Sequence, residues 1–220
     1  MKTDKRIKKL TVLAMFSALA YIAMIIIHIP VGGFLTFDPK DAVITIGAMF
    51  FGPLSGIVMS ALVALCEMIT ISDTGPYGLI MNFISSAVFS TVAPLFYKKW
   101  RKISGAIVGL LCSVCATVAV MMIANLLLTP YYMGVSVSDV VGLIPTLLLP
   151  FNLTKSILNA ALVLLLYKPL MNALRAIKLI ERPAKKSENK NIWQTVLITL
   201  CALIVIICSI AIFVFVLGIN

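Results

Sequence analysis

Apolar runs recur along the whole chain, near residues 10–29, 42–51, 54–71, 79–97, 103–128, 147–167 and 192–217. A helix that crosses the hydrocarbon core needs about 20 apolar residues, and most of these runs meet that length. Seven spans would use roughly 140 residues and leave about 80 for loops. That leaves no room for a fused ATPase, a periplasmic domain or a large soluble catalytic module. Composition agrees: 61% of the 220 residues are apolar and 12% charged, against about half and about a quarter in soluble domains. The stretch 41–72 is too long for one crossing. Gly52-Pro53 splits it, because proline offers no backbone donor and clashes with the preceding turn. The first run is expected to stay in the mature chain, since no clear small-residue cleavage site precedes Pro30.

Charge orients the spans. Sixteen of the 18 Lys+Arg fall before the first span, between the fourth and fifth (98–102), or between the sixth and seventh (168–190). These segments share one side in a seven-span topology, and positive-inside bias makes that side the cytoplasm. The N-terminus is then inside and the C-terminus outside. Trp100 and Trp193 sit at cytoplasmic edges, where indoles favour the interface. The net charge of +10 is thus a fringe facing anionic lipid, with no further feature pointing to nucleic acid.

The two remaining basic residues, Lys40 and Lys155, fall on the outer side, as do Asp38, Asp41, Glu67, Asp73 and Asp139. Glu67, Asn82, Asn125, Asn152 and Lys155 lie near the outer ends of spans three to six and share one depth. Asn152, Lys155 and Asn159 follow each other at steps of three and four, so they share a helix face. Polar groups at membrane depth face a protein interior or a wet cavity. The expectation is a polar pocket open to the outside and closed below by apolar packing, where amides and an ammonium hydrogen-bond a small polar ligand. Each member has a plainer alternative. Lys155 could snorkel to headgroups, Asn125 could only bridge helices, and Glu67 could be protonated or pair with Lys155. Asp38-Pro39-Lys40-Asp41 reads as a helix start, with aspartate at the N-cap and proline at the first helical position. The preceding loop 30–37, with Gly32, Gly33, Phe34 and Phe37, is a lid candidate. So is the long outer loop 129–145, with Tyr131 and Tyr132.

Several chemistries lack their residues. His28 is the single histidine and has no evident serine or carboxylate partner. No Walker A, HExxH or nucleophile-elbow motif occurs. The five cysteines all lie in apolar runs, which is not a disulfide framework, and Cys112-Ser-Val-Cys115 lacks a second ligand pair for a metal. No resident cofactor is expected. On the first span, Ala14 and Ala18 stand four apart in the cytoplasmic half, a step that lets another helix approach closely.

Leu149-Pro150-Phe151-Asn152-Leu153-Thr154-Lys155 resembles the LPFNxxK segment of the substrate-binding S components of energy-coupling factor (ECF) vitamin transporters, in particular the riboflavin-specific ones. The resemblance runs over about residues 8–170. Asn125 followed by Thr129-Pro130-Tyr131, the first-loop segment Leu35-Thr36-Phe37-Asp38-Pro39-Lys40-Asp41-Ala42, and Gly75-Pro76-Tyr77-Gly78 leading into Asn82-Phe83 support it together. The resemblance implies an all-α integral membrane protein with a six-helix S-component core. Riboflavin would be the transported ligand, bound from outside by Asn125, Asn152 and Lys155. Asn82, Glu67, Thr36, Phe37, Asp38 and Tyr131 would complete the substrate-binding set. It implies docking through Ala14 and Ala18 onto a membrane coupling subunit (EcfT) powered by two cytoplasmic ATPase subunits, and release of the vitamin inside after the S component topples.

The chain departs from that pattern beyond the sixth helix. The expected division is a six-helix membrane domain over 1–170, a basic cytoplasmic linker over 171–191, and an additional C-terminal transmembrane helix within 192–220. That helix is apolar all round, as for a lipid-facing helix. Three other readings remain open: an S component for a different vitamin, a small intramembrane enzyme using Glu67 or His28, and an ion-coupled transporter working alone.

Overall fold

The computed structural model describes residues 2–31, 33–100, 103–176 and 192–215. Gly32, Arg101, Lys102 and the greater part of the expected basic linker, 177–191, lie outside the described residues. The order is α1 (Lys2–Ile26), a hairpin of β1 (Ile29–Pro30) and β2 (Thr36–Phe37), α2 (Lys40–Phe51), α3 (Pro53–Thr70), α4 (Gly75–Trp100), α5 (Ile103–Met133), α6 (Val137–Leu143), a π-helical turn (Ile144–Leu148), α7 (Leu149–Ala176) and α8 (Ile192–Phe215). Among the described residues, five helical stretches are long and apolar enough to cross a membrane: Arg6–Ile26, Pro53–Thr70, Gly75–Trp100, Ser104–Met133 and Val137–Ala173.

Gly52-Pro53 divides the second apolar stretch as expected. Gly52 sits at φ 100°, where an L side chain would be strained, and Pro53 opens α3 at its first helical position. The resulting α2 differs from the expected second span. Its 12 residues rise about 18 Å, short of the roughly 30 Å hydrocarbon core, so α2 cannot cross alone. Ten of those 12 residues, Lys40 to Met49, are buried, and α2 packs against α1, α3, α4 and α7. An apolar sequence on all faces suits a helix enclosed by protein. Phe16, Ile44, Ile46, Met59 and Phe89 fill the core around it.

Close approach of backbones sets the bundle on both sides of α4. A Cβ on Gly56 would fall 2.7 Å from the Ser90 carbonyl oxygen, and one on Gly109 would fall 2.7 Å from that of Ala93. Small residues at such crossings are how membrane helices gain contact where burial from water cannot drive association.

The segment 129–145 is not a loop. α5 continues through Pro130 to Met133, Gly134 turns the chain at φ 66°, and α6 starts on a reciprocal cap between Ser136 and Asp139. The cap satisfies amides at the helix start that have no partner within the helix. The π turn then feeds α6 into α7 without a break. α7 itself runs to Ala176, so residues 171–176 extend the sixth helix. α8 is a 24-residue helix that packs on α7.

Candidate functional site

The chain between α1 and α2 descends into the bundle. Asp38, Pro39 and Lys40 are all buried. Irregular backbone at this depth is tolerated only where protein satisfies its polar groups, and α7 supplies the partners. Asn159 accepts from the Ala42 amide (3.0 Å) and donates to the Asp38 carbonyl (3.2 Å). Lys155 Nζ donates to the Thr36 carbonyl at 3.2 Å. Asn159 therefore ties the first loop to α7 and does not line the cavity, although it shares a helix face with Asn152 and Lys155. The helix begins one residue later than expected. Pro39 is the cap and makes no side-chain bond, while Asp38 Oδ1 still accepts from the Lys40 amide.

A cavity of about 280 Å³ opens above this loop, at the end of the bundle opposite the N-terminus. Asp38, Glu67, Asn82, Asn125, Asn152 and Lys155 all line it, with Thr36 from the first loop. These residues come from the loop, α3, α4, α5 and α7. A charge network joins most of them. Asn82 Nδ2 donates to Glu67 Oε1 at 2.8 Å, and Glu67 Oε2 meets Lys40 Nζ at 2.7 Å. Lys40 lies 3.3 Å from Asp38 Oδ2, which Lys155 also reaches at 3.0 Å. Lys155 is 7% exposed, so it does not snorkel to headgroups. Glu67 pairs with Lys40 instead of Lys155. Lys155 Nζ also stands 5.9 Å from the Phe151 ring centroid, within cation–π range.

The two asparagines behave alike. Asn125 Nδ2 donates to the Met121 carbonyl (2.7 Å) and Asn152 Nδ2 to the Leu148 carbonyl (2.8 Å), each one turn back on its own helix. An amide nitrogen carries two hydrogens, so each retains one donor at the cavity. Thr129 Oγ1 donates to Asn125 Oδ1. No described residue bonds Asn152 Oδ1. Phe34, Met121, Leu128, Phe151 and Tyr132 add apolar and aromatic surface to the cavity lining. Phe34 and Tyr132 meet edge to face with centroids 5.6 Å apart, and Tyr77 stands 6.3 Å from Tyr132.

Two of the expected residues are not brought to the cavity. Tyr131 is 76% exposed and points away, because one helical step separates it from Tyr132, which does line the site. The pair could not be resolved while the segment read as loop. Phe37 is buried in an apolar cluster with Val31, Leu148 and Leu158 behind the wall. Lys40, 1% exposed, stood out in the sequence as an outer-side cation but was not among the expected binding residues. Its place beside Asp38 and Asp41, at the head of a largely apolar helix, was the available signal. Ala14 and Ala18 both lie on the exposed face of α1, away from the cavity.

The sequence profile described as "ECF transporter, substrate-specific component" matches residues 8–170. The chain belongs to that family. The S-component core therefore covers α1 to most of α7, and α8 lies beyond it. The chain is 30% identical over 179 residues to the riboflavin transporter RibU of Staphylococcus aureus (strain TCH60), covering 77% of this chain and 94% of that one. It is 29% identical over 164 residues to the riboflavin transporter FmnP of Bacillus subtilis (strain 168), covering 69% and 86%. Among solved structures, the S component of a bacterial ECF transporter superposes with a TM-score of 0.67 at 29% identity, covering 77% of this chain and 99% of that one. The all-α membrane fold expected from the apolar runs is the fold of this family.

Proposed function

We propose that this S component binds riboflavin in the cavity and delivers it to an ATP-driven coupling module. The observation that carries the reading is the pair Asn125 and Asn152, each with an uncommitted amide hydrogen at one wall, beside Lys155. A flavin ring presents alternating acceptors and a donor along its pyrimidine edge and an apolar face elsewhere. Amides suit that edge, because each group offers both a donor and an acceptor. The aromatic wall of Phe34, Tyr132 and Phe151 suits the ring face. Asp38, Thr36, Glu67 and Asn82 are left for the hydroxyls of the ribityl chain. Two relatives named riboflavin transporters, matched over most of their length, support the choice of ligand.

In this reading the chain acts as a binding and carrying subunit and not as an enzyme. The cavity faces outward and the N-terminus lies in the cytoplasm, as the distribution of Lys and Arg requires. α8 is a seventh span standing on the α7 side of the core. The exposed Ala14 and Ala18 on α1 receive the membrane coupling subunit EcfT, on which two cytoplasmic ATPase subunits act. Flavin titration of the purified protein tests the ligand. The docking surface has its own test. Ala14→Leu/Ala18→Leu places two large side chains on a face where helices must approach closely. The variant should bind riboflavin like wild type yet lose at least about tenfold in cellular uptake, since close packing is sensitive to added methylenes. Uptake equal to wild type would remove these residues from docking.

A further inference from the structure

We infer that Lys40 is a positioning residue for ligand binding: a buried cation behind the cavity wall that fixes the two acidic wall residues and, through them, Lys155 and Asn82. The inference rests on the riboflavin-binding reading of the cavity. Lys40 does not line the cavity, whereas Asp38 and Glu67 both do. Its ammonium lies between them, 2.7 Å from Glu67 Oε2 and 3.3 Å from Asp38 Oδ2, with Met24 Sδ at 3.7 Å. Its own amide bonds Asp38 Oδ1 at 3.2 Å. One residue therefore holds carboxylates from two separate elements, the first loop and α3. Each carboxylate in turn holds a group at the cavity. Asp38 binds Lys155 on α7 at 3.0 Å, and Glu67 accepts from Asn82 on α4 at 2.8 Å.

Charge bookkeeping makes the role specific. Around Lys40 stand Asp38 from the loop, Asp41 from its own helix, Glu67 from α3 and Lys155 from α7. α4 contributes the neutral Asn82, Ser85 and Ser86 at this depth, the last donating to Asp41, and α1 contributes Met24. His28 and Asp73 sit at the cavity mouth, and both are exposed. Removing the Lys40 ammonium leaves three acids facing one cation. A buried charge without a partner is far costlier than a buried neutral acid, so one carboxylate more than in the wild type must then take up a proton for the site to keep its form. Proton uptake then takes the place of the missing ammonium. The contribution to stability and to the binding-competent form is present at low pH and is lost as pH rises.

The test compares wild type, Lys40→Met and Lys40→Met/Glu67→Gln, full chain in mild detergent. Riboflavin affinity and the ligand-free unfolding midpoint are both followed from about pH 5.5 to about pH 8.5. The double variant removes one positive and one negative charge together and keeps an acceptor for Asn82. Lys40→Met is expected to weaken binding by about tenfold or more at the alkaline end and to recover toward the acid end, the pattern of a titrating unpaired group. Its midpoint should likewise fall as pH rises. The double variant should return to the pH slope of wild type in its ligand-free midpoint, whatever its affinity, since Glu67 itself lines the cavity. Binding of Lys40→Met within about twofold of wild type at every pH, or an unchanged slope in the double variant, overturns the inference. Should Lys40→Met fail to fold, recovery of folded protein in the double variant supports the counter-ion role, and failure of both overturns it. A wild-type chain that does not bind flavin overturns the riboflavin proposal instead, and the ligand-free midpoints then decide the role of Lys40 alone.

Discussion

Replacing Lys155 with alanine should lower riboflavin affinity by at least about tenfold, because a hydrogen bond to a charged group is worth roughly 1.5–3 kcal/mol. Three consequences combine in this substitution. The ammonium facing the cavity disappears. Asp38 loses its 3.0 Å partner and keeps only the more distant Lys40. The Thr36 carbonyl loses its donor, so the first loop is released from α7 next to the ligand. Lys155→Arg should not restore binding, since a planar fork does not occupy the place of a compact ammonium between Asp38, Thr36 and the Phe151 ring. Titration by quenching of flavin fluorescence reads both variants. An alanine variant within threefold of wild type would mean that the Lys155 network is only structural.

The second large effect concerns the bundle and not the site. Gly109→Val should lower the unfolding midpoint by roughly 10 °C, combining an overpacking cost of about 3 kcal/mol with about 2–4 °C per kcal/mol at this chain length. The obstacle is backbone, the Ala93 carbonyl 2.7 Å from the new Cβ, with the Phe96 Cβ at 3.1 Å. Neither can swing aside as the end of a flexible side chain would. The helices must separate, and α4 carries Asn82 and Ser86 while α5 carries Asn125. Gly142→Ala is the control. A Cβ there meets nothing within 4 Å and the backbone is not left-handed, so its midpoint should match or slightly exceed wild type, as alanine is the better helix former. Equal midpoints for Gly109→Val and Gly142→Ala would contradict the close α4–α5 crossing.

Much of this architecture was legible because the bilayer restricts the choices. Backbone groups in lipid must be satisfied within a helix or a closed barrel, so apolar runs of the right length translate directly into helices. The placement of Glu67, Asn82, Asn125, Asn152 and Lys155 at one depth followed from the same logic. They do converge on one cavity, since a polar group placed in a membrane helix needs a polar neighbour. Other features needed three dimensions. Run lengths could not reveal that α2 is enclosed by four helices, because a lipid-facing and a protein-facing apolar helix read alike in sequence. The gap between the apolar runs at 128 and 147 read as a loop, yet α5 absorbs Pro130, and the Ser136–Asp139 cap restarts the helix at once. That error decided the place of Tyr131 against Tyr132. Lys40 was hidden by its surroundings. The Asp-Pro-Lys-Asp segment accounted for itself as a helix start, and only the position of α3 shows that the lysine has a second carboxylate to hold.

The cavity lined by Asn125, Asn152 and Lys155 is the proposed riboflavin site. The most direct test is an absorbance spectrum of the protein purified in mild detergent, followed by fluorescence titration of the ligand-stripped protein with riboflavin. Saturable quenching with one flavin per chain is expected, lost in Asn152→Ala and Lys155→Ala while both variants remain folded. A folded, colourless protein that leaves flavin fluorescence unchanged at every ratio would contradict it. The cavity would then have to be matched to a different vitamin.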